Sequence, residues 1–196
     1  MSKILRVNMT DVKATFAETP EKYKLMGGRW LTSSIVSDEV EPTCHPLGPN
    51  NKLVFAPGIV TGTAAPTSSR ISVGGKSPLT GTIKESNAGA KFSPMLARLG
   101  IKAIVIEGRP KGNKSYLLEI TKDRARLLSA DDLAGEGAYA TIDMLIQKYG
   151  KVGVCCIGPA GEMKMAMAGV CFNDMNDRAS RYSGRGAWGL SWVPKA

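Results

Sequence analysis

Three short apolar runs, each cut off by glycine or proline, constrain this chain more than any other feature. Lys52-Leu53-Val54-Phe55-Ala56 stops at Pro57-Gly58, Ile101-Lys102-Ala103-Ile104-Val105-Ile106 stops at Glu107-Gly108, and Val152-Gly153-Val154-Cys155-Cys156-Ile157 stops at Gly158-Pro159-Ala160-Gly161. Each is too short for a buried helix and reads as a buried strand. Ile4–Asn8 alternates like a strand, with Met9-Thr10-Asp11 turning into a second one. Residues 115–120 and 125–128 flank Lys122-Asp123 and predict a hairpin.

Helical period is rarer. Ile142, Leu145, Ile146 and Tyr149 form one apolar face over Tyr139–Tyr149, and Gly150 supplies the stop. Leu31 and Ile35 predict a short helix over residues 29–36. Pro94–Leu99 predicts another, with proline in its first turn and Gly100 past its end. Pro42–Asn51 reads as loop. Strands outnumber helices without β-α alternation, which favours an α+β fold over a doubly wound sheet. At 196 residues, with no repeat or linker, the chain reads as one unit.

Lys and Arg number 26 against 17 Asp and Glu, a net charge of +9. This favours an anionic partner: nucleic acid, a membrane surface or a phosphorylated small molecule. No uncharged apolar stretch approaches the roughly 18 residues of a membrane span. The tryptophans at 30, 188 and 192 do not interleave with the basic residues, which argues against a single-strand nucleic-acid platform. The start, Met1-Ser2-Lys3-Ile4-Leu5-Arg6, lacks the apolar run of a secretory signal. Cys44, Cys155, Cys156 and Cys171 predict free thiols in a reducing compartment, so a cytoplasmic protein is expected. Adjacent cysteines in a strand point to opposite faces, so Cys155 and Cys156 cannot chelate one ion together. His45 beside Cys44 reads as a loop histidine, because sequence neighbours rarely aim at each other.

Three Gly/Ser-rich segments carry or adjoin basic residues: Gly62–Arg70, Lys84–Phe92 and Arg178–Gly186. Small residues allow close backbone approach, and arginine clamps phosphate with parallel charged hydrogen bonds. Asn87 can lend an amide oxygen to a hard cation such as Mg²⁺ between phosphates. The same segments also suit ordinary tight turns with solvated arginines.

Several phrases, taken in order, resemble one family. They are Lys3–Asn8, Asn51–Gly58 running on to Thr61–Arg70, Lys76-Ser77-Pro78-Leu79-Thr80-Gly81, Ser86-Asn87-Ala88-Gly89, Ile104–Gly108, Ile157–Glu162 and Gly184-Arg185-Gly186. The ordered set resembles the N-terminal domain of tungsten-containing aldehyde ferredoxin oxidoreductases. The resemblance implies a four-layer α/β/β/α sandwich, two mixed or antiparallel sheets with flanking helices, as the base for a tungsten (or molybdenum) bis-pterin. It implies that Arg70 contacts a pterin phosphate and that Asn87 stands beside the Mg²⁺ bridging the phosphates. Ala88 and Gly89 would give close backbone approach, and Arg181, Tyr182, Gly184 and Arg185 would form a second phosphate-contacting loop. Tyr182 stands where a small residue is expected, so its role would run through its backbone carbonyl.

The family's iron–sulfur cysteines lie in later domains, so this chain is expected to ligate no cluster and to oxidise no aldehyde alone. In the whole enzyme, an aldehyde becomes a carboxylic acid and electrons pass to ferredoxin. The unit is read as 1–186. Residues 187–196 depart from the family's Gly-Leu-Gly-Ala-Val-Met-Gly-Ser-Lys, which a slipped reading frame near position 186 would explain. Apolar surface normally covered by later domains predicts a homodimer or higher oligomer. The alternative is a non-catalytic orphan module that self-associates or binds a phosphorylated small molecule. Nucleic acid and membrane are not expected partners.

Overall fold

The computed structural model describes residues 2–112, 114–165 and 168–186. The atypical tail, 187–196, lies outside the described residues. The strands are β1 (Lys3–Asn8), β2 (Lys13–Glu18), β3 (Lys52–Pro57), β4 (Arg70–Lys76), β5 (Ile83–Gly89), β6 (Ile101–Glu107), β7 (Tyr116–Ile120), β8 (Ala125–Ser129), β9 (Cys155–Cys156), β10 (Val170–Asn173) and β11 (Ala179–Ser183). The helices are α1 (Gly28–Glu39), α2 (Phe92–Arg98), α3 (Ala138–Tyr149) and the single turn α4 (Pro159–Glu162). Among the described residues no helix is long and apolar enough to cross a membrane.

A six-stranded sheet runs β2-β1-β6-β3-β4-β5, a three-stranded sheet runs β11-β10-β9, and β7 pairs with β8. In the large sheet β1 and β6 are parallel and the other pairings are antiparallel. Side-chain alternation sorts the layers. Leu5, Val7, Leu53, Phe55, Ile71, Val73, Ile104 and Ile106 face inward onto Phe92 and Leu96 of α2, Leu118 of β7, Cys155 of β9 and Phe172 of β10. Their alternates, Ile4, Val54, Ala56, Ala103 and Val105, pack under Leu31, Ile35 and Val36 of α1. On the far side, Cys156, Cys171, Ala179 and Leu117 pack under Ile142 and Leu145 of α3. The order is therefore α1, large sheet, small sheets, α3: the α/β/β/α sandwich that the family resemblance implies. Cys155 and Cys156 do fall in different cores, as strand geometry requires.

The hairpin and all three longer helices stand where the periodicity placed them, and Gly150 ends α3 with φ +74°. The run 152–157 is a strand only at Cys155–Cys156. There the Asn173 side chain takes the place of a neighbouring strand, accepting from the Val154 N–H (2.8 Å) and donating to the Val152 carbonyl (2.9 Å). Two of the segments read as loops are largely strand: Ile83–Gly89 and Ala179–Ser183. Lys-Glu-Ser-Asn has little intrinsic strand preference, and pairing to β4 along seven residues overrides it.

The candidate site at the edge of the large sheet

β4 and β5 set the geometry. Arg70 lies opposite Gly89, Ser72 opposite Asn87 and Gly74 opposite Glu85. Residues two apart share a face, so Arg70, Ser72, Glu85, Asn87 and Gly89 all belong to the α1 side of the sheet. Ala88 belongs to the other side; it is a 4% exposed core residue beside Ile71. The Ala88 side chain thus stands apart from those of its neighbours.

Backbone direction follows from two bonds that bracket the pair. The Ala90 N–H donates to the Ser69 carbonyl (3.1 Å) and the Ser77 N–H to the Thr82 carbonyl (2.9 Å). Antiparallel alternation then makes Ile71/Ala88, Val73/Ser86 and Gly75/Lys84 the hydrogen-bonded pairs. The N–H and C=O groups of Glu85, Asn87 and Gly89 point away from β4. β5 is the last strand of its sheet, so these groups lie on a free edge. Among the described residues, no donor or acceptor meets them.

The third segment packs against β5 from the adjoining layer. Ser183 Oγ donates to the Ser86 carbonyl (3.0 Å), and Ser77 Oγ donates to the Gly186 carbonyl (3.2 Å). At the other end the Lys91 N–H donates to the Asn173 carbonyl (3.1 Å), and Lys91 Nζ pairs with Asp177 (2.5 Å). In β11, Arg181 pairs with Phe172 and Ser183 with Val170, both inward-facing core residues, whereas Tyr182 pairs with Cys171 on the α3 side. Arg181 therefore belongs to the face turned to the large sheet. The Tyr182 ring stands on the opposite face, where burial pushes its phenol up.

Arg70, Arg181 and Arg185 are exposed, and among the described residues none of their guanidinium groups has an ion pair or hydrogen bond. The Arg70 backbone is fixed all the same, because its carbonyl accepts from the Gly58 N–H (3.2 Å) and Ser93 Oγ (2.8 Å). Gly89 and Gly184 have ordinary φ, and a Cβ on either would touch no described atom. Among the described residues, packing does not explain why these two positions lack a side chain.

Sequence reasoning missed four residues here. Glu85 Oε2 accepts from Asn87 Nδ2 (2.6 Å) and Ser72 Oγ (2.6 Å), and its Oε1 pairs with Arg29 (2.9 Å). Ser72 Oγ lies 3.2 Å from Thr32 Oγ1 of α1. A period of two from Asn87 back to Glu85 was the available signal, visible only once this segment is known to be a strand.

Other sequence candidates stay apart. In the Gly62–Arg70 loop two hydroxyls are spent locally: Thr63 Oγ1 donates to the Val60 carbonyl (2.7 Å) and Ser68 Oγ to the Ala65 carbonyl (2.9 Å). His45 Nδ1 accepts from the Leu47 N–H (3.1 Å), a turn contact as expected of a loop histidine. Glu107 pairs with Lys52, and Glu162 Oε2 accepts from the Gly135 N–H (2.9 Å). A cavity of about 400 Å³ lies elsewhere, between α2, the β7–β8 hairpin and α3, and touches none of the edge residues. Among the described residues no cluster of His, Cys, Asp and Glu could hold a metal ion.

Residues 4–195 match the family model for the aldehyde ferredoxin oxidoreductase N-terminal domain. The chain is 36% identical over 191 residues to the tungsten-containing aldehyde ferredoxin oxidoreductase of Pyrococcus furiosus, covering 95% of this chain and 30% of that protein. It is 38% identical over 192 residues to the enzyme of the same name from Pyrococcus horikoshii, with the same two coverages. The chain therefore spans about a third of the length of these relatives. Among solved structures it is similar to the active site complex BamBC of benzoyl coenzyme A reductase in complex with 1,5-dienoyl-CoA. That similarity has a TM-score of 0.88 at 27% identity and covers 96% of this chain and 28% of that one. Fold and sequence agree: the chain belongs to the aldehyde ferredoxin oxidoreductase N-terminal domain family.

Proposed function

We propose that the β4–β5 edge and β11 form one wall of a site for the phosphate groups of a tungsten (or molybdenum) bis-pterin, with Mg²⁺ between the phosphates. The observation that carries this reading is the free edge of β5, where among the described residues the outward backbone groups of Asn87 and Gly89 meet no partner, together with Arg70, Arg181 and Arg185, which have no acidic partner. Arg70, Arg181 and Arg185 would neutralise phosphate oxygens, as arginine does with paired N–H donors. Backbone N–H groups on the edge can donate to the same anions. Asn87 offers Mg²⁺ neutral carbonyl oxygens, the ligand type that hard cations take.

The residues present fit the group. Asn87 Nδ2 is held by Glu85, so the amide presents Oδ1, an oxygen, on its remaining side. Gly89 and Gly184 leave space that a Cβ would fill. When bound, the group supplies metal-centred oxo transfer that oxidises an aldehyde to an acid, with electrons passing to ferredoxin in the whole enzyme. This chain's own residues bind and orient; none is assigned a proton or electron transfer. The working unit is residues 1–186.

The test is binding of Mg²⁺–pyrophosphate by titration calorimetry, with tungsten and pterin content measured after anaerobic purification. Wild-type chain is expected to bind the probe near 1:1, and Arg70→Ala, Arg181→Ala and Arg185→Ala each to weaken it by about tenfold. Wild-type chain that binds neither pyrophosphate nor pterin would overturn the assignment.

A further inference from the structure

The edge site has a buried support that its ligand-facing residues do not explain by themselves. The Glu85 side chain is 13% exposed and is held by three donors from three elements: Arg29 of α1, Ser72 of β4 and Asn87 of β5. Its charge is opposed by Arg29, whose own side chain is 73% exposed. A carboxylate beside a phosphate site is a cost unless it does something there, since like charges repel.

We propose that Glu85 is a positioning residue that sets the direction of the Asn87 amide, with Ser72 and Thr32 completing the support. This rests on the phosphate-site reading above. A carboxylate accepts and never donates, so only the NH₂ end of an amide can face it. With Nδ2 fixed at 2.6 Å from Glu85 Oε2, Oδ1 is turned away from Glu85 and no described donor reaches it. A neutral partner at position 85 would lose that discrimination, because an amide can face another amide either way round. Ser72 Oγ gives its single proton to the same Oε2, leaving Thr32 to donate to Ser72 or to the Arg29 carbonyl, 3.1 Å away.

The support reaches α1 because Gly74 lets it. A Cβ there would stand 2.8 Å from Thr32 Cβ and 2.9 Å from its Oγ1. The helix therefore sits close enough for Thr32 and Arg29 to reach residues of the sheet. Positional precision at the edge is set by an element that does not touch the ligand.

The experiment is Mg²⁺–pyrophosphate titration on the full chain, with the Asn87 side-chain NH₂ followed by NMR. Wild type is expected to show an NH₂ pair with one proton shifted by its carboxylate partner. E85Q is expected to lose that shift and to bind the probe about tenfold more weakly, the loss of one charged hydrogen bond. N87A weakens binding, and adding E85Q to it weakens binding no further, because Glu85 acts through Asn87. S72A removes one buried hydrogen bond to Glu85 but leaves the Glu85–Asn87 contact, so it lowers the unfolding midpoint and weakens binding less than E85Q does. If wild type binds and E85Q binds equally well, or if E85Q weakens N87A again by as much, Glu85 is not a positioning residue. If wild type does not bind, the phosphate site itself is refuted, and this assignment with it.

Discussion

Gly89→Ala separates the fold of this domain from its candidate function. Gly89 has ordinary φ, lies in the edge strand opposite Arg70, and a Cβ built on it would meet no described atom within 4 Å. Nothing in the chain resists the methyl group. Glycine in a strand is less stable than alanine by about 0.5–1 kcal/mol, because the unfolded chain has more freedom to lose. For a domain of this size that predicts a melting temperature raised by roughly 1–4 °C. Binding should move the other way, since a methyl standing where a ligand approaches costs about 1–3 kcal/mol, a loss of roughly 5- to 150-fold. Gly74→Ala, in the paired strand, is the control. Its Cβ falls 2.8 Å from Thr32 Cβ, so it should destabilise by about 1–3 kcal/mol as α1 is pushed off the sheet. Thermal unfolding and Mg²⁺–pyrophosphate titration on the same samples read both effects. A Gly89→Ala variant that melts lower than wild type and binds as well would refute the reasoning on both counts.

Three further outcomes follow from the described contacts. Arg6 grips Glu39 with two bonds of 2.8 and 2.6 Å and holds its carboxyl below the usual range. That stabilisation is complete above the unfolded carboxyl's pKa, about 4.3, and is lost as pH falls through the lower folded value. Glu39→Gln should therefore cost about 1–2 kcal/mol at pH 7, with the gap to wild type closing in acid; urea curves giving the same gap at pH 3 and pH 7 would contradict this. Phe172 is fully buried, with its ring 6.5 Å from Phe55 and 5.8 Å from Phe92, so Phe172→Ala should cost about 3–5 kcal/mol with an unchanged urea slope. A thiol reagent should label Cys44 in the native protein and reach Cys155, Cys156 and Cys171 only on unfolding, because those three are buried and burial pushes the Cys155 thiol up. Rapid labelling of more than one thiol before unfolding would count against it.

Elements with a strong pattern of their own were legible in the chain. β3 and β6 are continuous apolar runs buried on both faces, and α3 carries an uninterrupted helical face, so burial alone dictates them. β4 was hidden by Gly74-Gly75; the small size of Gly74 serves the approach of Thr32 and not the strand. β5 and β11 carry Lys, Glu, Ser, Asn and Arg at positions that are largely exposed or half-buried, so no apolar pattern marks them. The residues of the candidate site were named from resemblance to a family, and their chemistry was readable one by one. Glu85, Arg29, Ser72 and Thr32 were not, since their roles depend on who stands opposite whom.

What this chain's sequence determined by itself is the inventory: apolar runs that must be buried, one strong helix, basic residues set among small ones, and membership of a family. What only the tertiary structure decided is direction. Strand register put Asn87 over Ser72 and turned its backbone to a free edge, while α1 settled close enough for a carboxylate to orient its amide. Register and packing distance are properties of paired segments distant in sequence, so no local stretch of residues encodes them alone.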